Sequence, residues 1–367
     1  MSTVIQDPKP VEKLPEKNPL TSGQLPPWIE AAAGLVALVV SFAVLALFDA
    51  TNPALIIVVG FVIFLAIMYA VSAGVEGGRQ ASNRTAKYVV FLAFALALIP
   101  LVSLIWDTVT KGLQRFDATY FTYSMSGVYG DMAGGAVHAI WGTLIITGIA
   151  TLISVPIGLF TAIYLVEYGG KNALARGITF LVDVMTGIPS IVAGLFAFSV
   201  FVLFAGPGTK SGLAGAVALC ILMIPYVVRN AEEVLRLVPR GLREASFALG
   251  VTKWRTIVKV VIPTAISGII SGVILAIARI IGETAPLLVT AGLATTLVTN
   301  PLPTQGVPNQ MTTLPVFVYY QYMQPGTSPD ANYARAWTGA LVLILIVMVL
   351  NLAGRFIAAR FAPKTKK

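Results

Sequence analysis

Two ionisable residues stand in a run otherwise apolar enough to cross a bilayer. They are Arg279 and Glu283, in Ala278-Arg279-Ile280-Ile281-Gly282-Glu283-Thr284-Ala285-Pro286. Four residues apart, they are expected to be neighbours on one helix face. Counted from Pro263, Arg279 lies roughly 24 Å along a helix rising 1.5 Å per residue. A charge at that depth costs about 2.5–3.5 kcal/mol on insertion scales, so both groups are expected to face the interior of a helix bundle. Two readings follow. The pair neutralises itself and locks packing, or the guanidinium fork meets an oxyanion while the carboxylate orients it. Thr284 is grouped with them. Arg229, expected to end another apolar run, either snorkels to the interface or contacts a solute at the inner exit.

Other reactive residues carry less. His138 opens an apolar segment with no second ligand beside it in sequence, so neither a metal nor a cofactor is expected. Cys220, the single cysteine, sits in an apolar run and reads as a packed core thiol. Asp183 is expected to pair with Arg176. Gly208-Thr209-Lys210-Ser211 lacks a glycine directly before its lysine and falls on an outer turn, so it is not a phosphate-binding loop. Asn83-Arg84-Thr85 has the form of a glycosylation sequon but is expected on the inner side.

The elements that must position these residues are membrane helices. Of 367 residues, 57% are hydrophobic and 11% charged, with mean hydropathy +0.84. Soluble domains carry about 25% charged residues, so lipid must solvate much of this surface. Apolar runs near 28–48, 54–75, 88–108, 137–166, 179–205, 212–228, 264–293 and 335–360 predict an all-α, polytopic helical membrane protein with about eight transmembrane helices. The formal charge of +9 follows topology rather than nucleic acid. With the N-terminus in the cytoplasm, only Lys111, Arg115, Lys210 and Arg335 fall on or near the outer side and only Arg279 stays within. The remaining Lys and Arg lie inside, as the positive-inside rule requires. Both termini are therefore expected to be cytoplasmic. Residues 1–27, rich in proline, predict a disordered cytoplasmic tail without the features of a cleaved signal. Residues 361–367 form a basic tail.

Along the chain, residues 28–86 read as a separate transmembrane hairpin turned at 49–53 and tied on by a polar link over 76–87. Phe317, Tyr319, Tyr320 and Tyr322 predict an aromatic belt at the interface. Gly268 and Gly272 form a Gly-x-x-x-Gly face for close packing, most simply against a partner subunit. The inner loop 229–263 is far longer than two antiparallel helices need. Within it Leu242, Ala245, Ser246 and Leu249 recur at helical spacing, which predicts a short helix with one small, apolar stripe. Pro239 and Gly241 break the chain before it. Gly250 is expected to provide a left-handed cap, and Thr252 to cap the next stretch.

These residues resemble a known family. Glu244-Ala245-Ser246, three residues, Gly250, nine residues, Val260, one residue, Ile262-Pro263 is similar to the Glu-Ala-Ala loop of ABC-importer permeases, with Ser246 in place of the second alanine. The stretch Arg279–Leu288, and Thr313-Leu314-Pro315-Val316, resemble the phosphate-specific importers within that family. The resemblance covers roughly residues 87–360 and implies a six-helix permease core, to which the first hairpin is extra. It implies that the helix around Glu244–Leu249 docks into an ATP-hydrolysing subunit, with small residues at 245 and 246 admitting close approach and Gly250 a sharp turn. It implies that Arg279, Glu283, Thr284 and Arg229 lie on the path of inorganic phosphate. It also implies a homologous sister permease, two copies of the ATPase subunit and an extracytoplasmic phosphate-binding protein, so that this chain is itself not catalytic. Three alternatives stay open: the same architecture for sulfate or molybdate, an ion-coupled transporter using Arg279 and Glu283 as a relay, and a membrane-embedded enzyme. The last would need a convergent acid-base or metal set that the sequence does not offer.

Overall fold

The computed structural model describes residues 25–48, 52–170, 172–304 and 309–361. Most of the two expected tails, and the turn residues 49–51, lie outside the described residues. Among those described, seven helices are long and apolar enough to cross a membrane, and one bent pair brings the spans to eight. The chain divides into two compact units at the Leu104–Ile105 bond.

The first unit holds α1 (Trp28–Ala46), α2 (Pro53–Val75) and most of α3 (Gly78–Gly112). Asn52 starts α2 by accepting the Ala54 amide at 2.9 Å, with Pro53 pre-set for the first turn. Ala33, Ala37, Ser41 and Leu45 recur every four residues and form the buried stripe of α1. Ser41 Oγ donates to the Ile56 carbonyl at 2.8 Å, which joins α1 to α2. The polar stretch expected as a link is helical from Gly78 onward. Only Glu76 and Gly77, the latter at φ 94°, separate the two helices, and the residues after them include the good helix formers Arg79, Gln80, Ala81, Arg84 and Lys87. Arg84 then bridges Glu30 at 3.0 Å and Glu76 at 2.8 Å.

The second unit begins in the last turns of α3 and continues with the short α4 (Ala118–Thr122) and the long α5 (Val137–Ile163). The latter ends in a π turn over Tyr164–Tyr168. The run at 179–205 is not one straight span. It is α6 (Ala173–Thr186) and α7 (Ser190–Ala205), bent by 108°. Pro189 supplies no N–H and disfavours a helical Ile188, which breaks the chain there. Next come α8 (Gly212–Leu237), α9 (Arg240–Ala248), α10 (Lys253–Thr256) and a π turn over Ile257–Val261. α8 runs two turns beyond the expected end near residue 228. The run at 264–293 also divides, into α11 (Ile262–Ile280) and α12 (Ala285–Thr290), with Gly282 in the gap and Pro286 opening the new helix. α13 (Leu314–Met323) and α14 (Pro329–Phe361) complete the unit.

α8 is the central helix, the most buried of the candidate spans. Ile146 and Ala150 of α5, Leu219 and Met223 of α8, Ala276 and Ile280 of α11 and Leu287 of α12 form one core. Small residues set the separations. A Cβ on Gly158 would stand 2.6 Å from Val227 Cγ1, so α5 and α8 touch almost backbone to side chain. The Gly268–Gly272 face serves the same purpose within this chain. A Cβ at Gly268 would lie 2.6 Å from Val234 Cγ1, and one at Gly272 would lie 2.8 Å from Asn230 Cβ, both on α8.

One expectation, for the aromatic cluster of α13, changes. Phe317 is buried with Tyr120, Ala139 and Leu314, while Tyr319 and Tyr322 are exposed, so the aromatic cluster divides between core and surface. Arg335 is buried as well. Its guanidinium donates to the Met132 carbonyl at 2.9 Å and Asn332 Oδ1 at 2.6 Å, and its carbonyl accepts from the Tyr120 hydroxyl at 3.1 Å. Burial pushes the Tyr120 phenol above its ordinary value of 10.0.

Candidate functional site

The two helix breaks meet. Met185, Thr186 and Ile188 at the α6–α7 bend, Ser190 of α7, Leu222 and Tyr226 of α8, Arg279 and Ile280 of α11, and Glu283 line one cavity of about 180 Å³. Non-helical backbone within a membrane span is stable where it lines a cavity or is buried in protein. α7 and α12 approach closely because Gly194 carries no Cβ, which would stand 2.6 Å from Pro286 Cα.

Arg279 and Glu283 share this cavity, but they are not a helical pair. α11 ends at Ile280, and Glu283 sits in the following turn, its amide donating to the Ile280 carbonyl at 3.1 Å. No ion pair links Arg279 to a carboxylate among the described residues. Its guanidinium instead lies over the Tyr226 ring, 4.2 Å from the centroid. Arg279 is exposed on this chain taken alone. Thr284 is not among the residues lining the cavity; it precedes α12 and accepts the Leu288 amide at 3.0 Å through its carbonyl.

Tyr226 and Arg229 are three residues apart on α8 and so share a face. Arg229 lies inside α8 rather than at its end. It pairs with Asp183 of α6 and, at 2.7 Å, with the buried Glu232, which also accepts from Arg236 at 2.5 Å. Asp183 thus meets Arg229 and not Arg176, because the two are brought together where α6 crosses α8. This chain of charges runs from the cavity wall toward the end that carries α9. Tyr226 and Glu232 escape sequence reasoning, and Asp183 enters it only with a different partner; the one signal for Tyr226 was its three-residue spacing from Arg229.

α9 ends as its sequence predicts. Gly250 takes φ 73°, its amide donates to the Phe247 carbonyl at 2.9 Å, and the Val251 amide donates to the Ser246 carbonyl at 3.2 Å. These are the paired bonds of a left-handed helix cap. Thr252 stands at the start of α10 without a side-chain capping bond. The predicted stripe divides, however. Leu242, Ala245, Phe247 and Leu249 are exposed, with Leu249 at 82%, and Glu244 is exposed beside them. Ser246 turns inward, its hydroxyl 2.8 Å from that of Thr256. Arg243 and Glu167, which the sequence did not single out, bond to one another beneath the helix.

Residues 154–367 match the family described as binding-protein-dependent transport system inner membrane component. The chain is 45% identical over 287 residues to the phosphate transport system permease protein PstA 1 of Mycobacterium tuberculosis strain CDC 1551, a match covering 77% of this chain and 91% of the relative. It is 38% identical over 286 residues to PstA of Yersinia pestis, covering 78% and 92%. Among solved structures, a bacterial alginate ABC transporter chain superposes with TM-score 0.56 at 14% identity, over 79% of this chain and 99% of the other. A chain of the inward-facing MetNI methionine ABC transporter superposes with TM-score 0.50 at 22% identity, over 62% and 96%. These structures share the fold, and the sequence matches reach further: the chain is a multi-pass membrane protein that belongs to the PstA family of phosphate transport system permease proteins.

Proposed function

We propose that this chain forms half of the membrane pathway of an ATP-driven importer of inorganic phosphate. Its partners in this reading are a homologous sister permease, two copies of an ATPase subunit that carry out all hydrolysis, and an extracytoplasmic phosphate-binding protein. The complex sits in the bacterial cell membrane with both termini of this chain in the cytoplasm, consistent with the distribution of basic residues. Residues 28–86 add a hairpin to the permease core.

The observation that carries this reading is Arg279. Its guanidinium lies in an apolar span, is exposed on the isolated chain, and rests on an aromatic ring rather than a carboxylate. Facing lipid, such a group would be costly, so a water-filled path or a second protein surface must cover it. A path shared with a sister permease meets both conditions. The fork is then free to accept phosphate oxygens, with Glu283 across the same cavity able to accept a hydroxyl of a protonated phosphate. Thr284 places the turn that bears Glu283, and Arg229 offers the next cation toward the cytoplasm. Binding must be brief, because a tight site would trap its ion.

The exposed Leu242, Ala245, Phe247 and Leu249, with Glu244 beside them, supply the docking face for the ATPase. Gly250 sharpens the turn behind it, and Ser246 anchors the helix from within. Closure of the ATPases then moves α9 and rocks the spans between inward- and outward-open states.

Labelled-phosphate uptake by cells expressing the whole complex tests this, with an uncoupler and with sulfate as competitor. Uptake should survive the uncoupler while ATP lasts, ignore sulfate, and fall at least about tenfold in Arg279→Gln. Uptake that collapses with the proton gradient at constant ATP rejects the ATP-driven reading, and competition by sulfate rejects the substrate.

A further inference from the structure

We propose that Arg243 and Glu167 form the joint through which motion of α9 reaches the membrane helices. The inference rests on α9 being the helix that docks to the ATPase. One guanidinium gathers three elements. From α9, Arg243 Nε and Nη2 both donate to Glu167 Oε1, at 3.0 and 2.8 Å. Nη1 donates to the Val238 carbonyl at 2.6 Å, and Nη2 also donates to the Leu235 carbonyl at 2.9 Å. Those carbonyls belong to the C-terminal end of α8, where helix geometry leaves few backbone donors, although the Leu235 carbonyl also accepts the Val238 amide at 3.4 Å. Glu167 comes from the π turn that ends α5.

Both side chains are largely withdrawn from water, 16% exposed for Arg243 and 7% for Glu167. A pair so placed is stiff, since separating it would leave a buried charge unpaired. α9 has nine residues and an exposed outer face, so its displacement passes through its inner contacts as well as through its two chain ends. The Ser246 hydroxyl meets that of Thr256, the last residue of α10, from which the chain continues through the π turn into α11. Arg243 reaches α5 and α8 together. α8 carries Tyr226, the platform under Arg279, so a shift at its end is transmitted to the cavity wall along a rigid helix. Arg243 and Glu167 are thus positioning residues, remote from the solute.

The test uses the whole complex reconstituted in proteoliposomes, with ATP hydrolysis and labelled-phosphate uptake measured on the same vesicles. Glu167→Gln keeps an acceptor for Arg243 and leaves its two carbonyl bonds in place; Arg243→Met removes all four donations. In each variant, phosphate taken up per ATP should fall roughly tenfold, the size of a typical coupling term, while hydrolysis stimulated by the loaded binding protein changes less than about twofold. The double variant should be no worse than either single, because the two residues act as one joint. Should Arg243→Met fail to assemble, Glu167→Gln decides by the same ratio. Unchanged uptake per ATP, or losses that multiply in the double variant, overturns the joint alone. A wild-type complex that hydrolyses ATP and imports no phosphate overturns the transport reading instead.

Discussion

The guanidinium of Arg279 stands 4.2 Å from the centroid of the Tyr226 ring, at the wall of the cavity where two broken spans meet. The contact fixes the direction of the fork without neutralising it, which a carboxylate partner would do. Replacing Tyr226 therefore separates placement of the charge from its presence. Tyr226→Phe keeps the ring and should leave phosphate uptake unchanged. Tyr226→Leu removes the platform and should raise the KM for uptake about three- to tenfold, the range expected from one cation–π contact. Concentration-dependent uptake by the two variants checks this. Equal loss in both would assign the effect to the hydroxyl.

Gly268 packs on Val234 of the same chain, which leads to a rescue experiment. Gly268→Ala should destabilise the protein by about 1–3 kcal/mol through overpacking. Val234→Ala in the same chain should restore most of that loss by clearing the space the new methyl needs. Gly148→Ala is the control, because a Cβ there meets nothing within 4 Å. Thermal unfolding of the purified complex reads all three. Absence of rescue would return Gly268 to an interface with a partner subunit.

Ser246 and Thr256 share a buried hydroxyl contact at 2.8 Å, and the Thr256 hydroxyl also donates to the Thr252 carbonyl at 3.2 Å. Ser246→Ala leaves Thr256 with that second partner and should cost only about 0.5–1.5 kcal/mol. Thr256→Val strands the Ser246 hydroxyl away from water and should cost more, about 1–3 kcal/mol. The double variant Ser246→Ala, Thr256→Val should lie close to wild type, since no polar atom is then left unpaired. Melting temperatures in that order bear on the contact directly, and an additive double variant would dismiss it.

Glu76 gives the first unit a dependence on pH. The Leu25 amide, donating at 2.7 Å, does most to hold its carboxyl below the ordinary 4.5; burial opposes this, and the Ser72 hydroxyl and Arg84 reinforce it. A lowered pKa in the folded state means that the stabilisation is complete above 4.5 and fades as pH falls through the lower, folded value. The contact with Leu25 should therefore loosen in acid below 4.5. Hydrogen exchange at the Leu25 amide, corrected for intrinsic rate, should accelerate there in wild type. In Glu76→Gln it should already be fast at neutral pH and show no such step.

Much of this architecture was legible in the sequence because its causes are local. Hydropathy located each span, though not its ends, since burying twenty apolar side chains in lipid outweighs any other preference of the segment. Proline before and glycine after the short helix marked α9, because both act through their own backbone angles. The charged residues of the site were also visible, as ionisable groups in apolar surroundings need a reason to be there.

What the sequence could not convey is who meets whom. Hydropathy cannot register a 108° bend when both arms are apolar, so the breaks that create the cavity stayed hidden inside two apparently continuous spans. Once α11 ends at Ile280, the four-residue spacing of Arg279 and Glu283 no longer makes them a pair, and Tyr226 of α8 takes the contact. Asp183 finds Arg229, Gly268 finds Val234, and Arg243 finds Glu167, 76 positions away. The sequence by itself determined which segments enter the membrane and which charges go with them, because solvation acts residue by residue. The tertiary structure decided their partners, because helix packing depends on shape and approach between segments that sequence spacing does not encode.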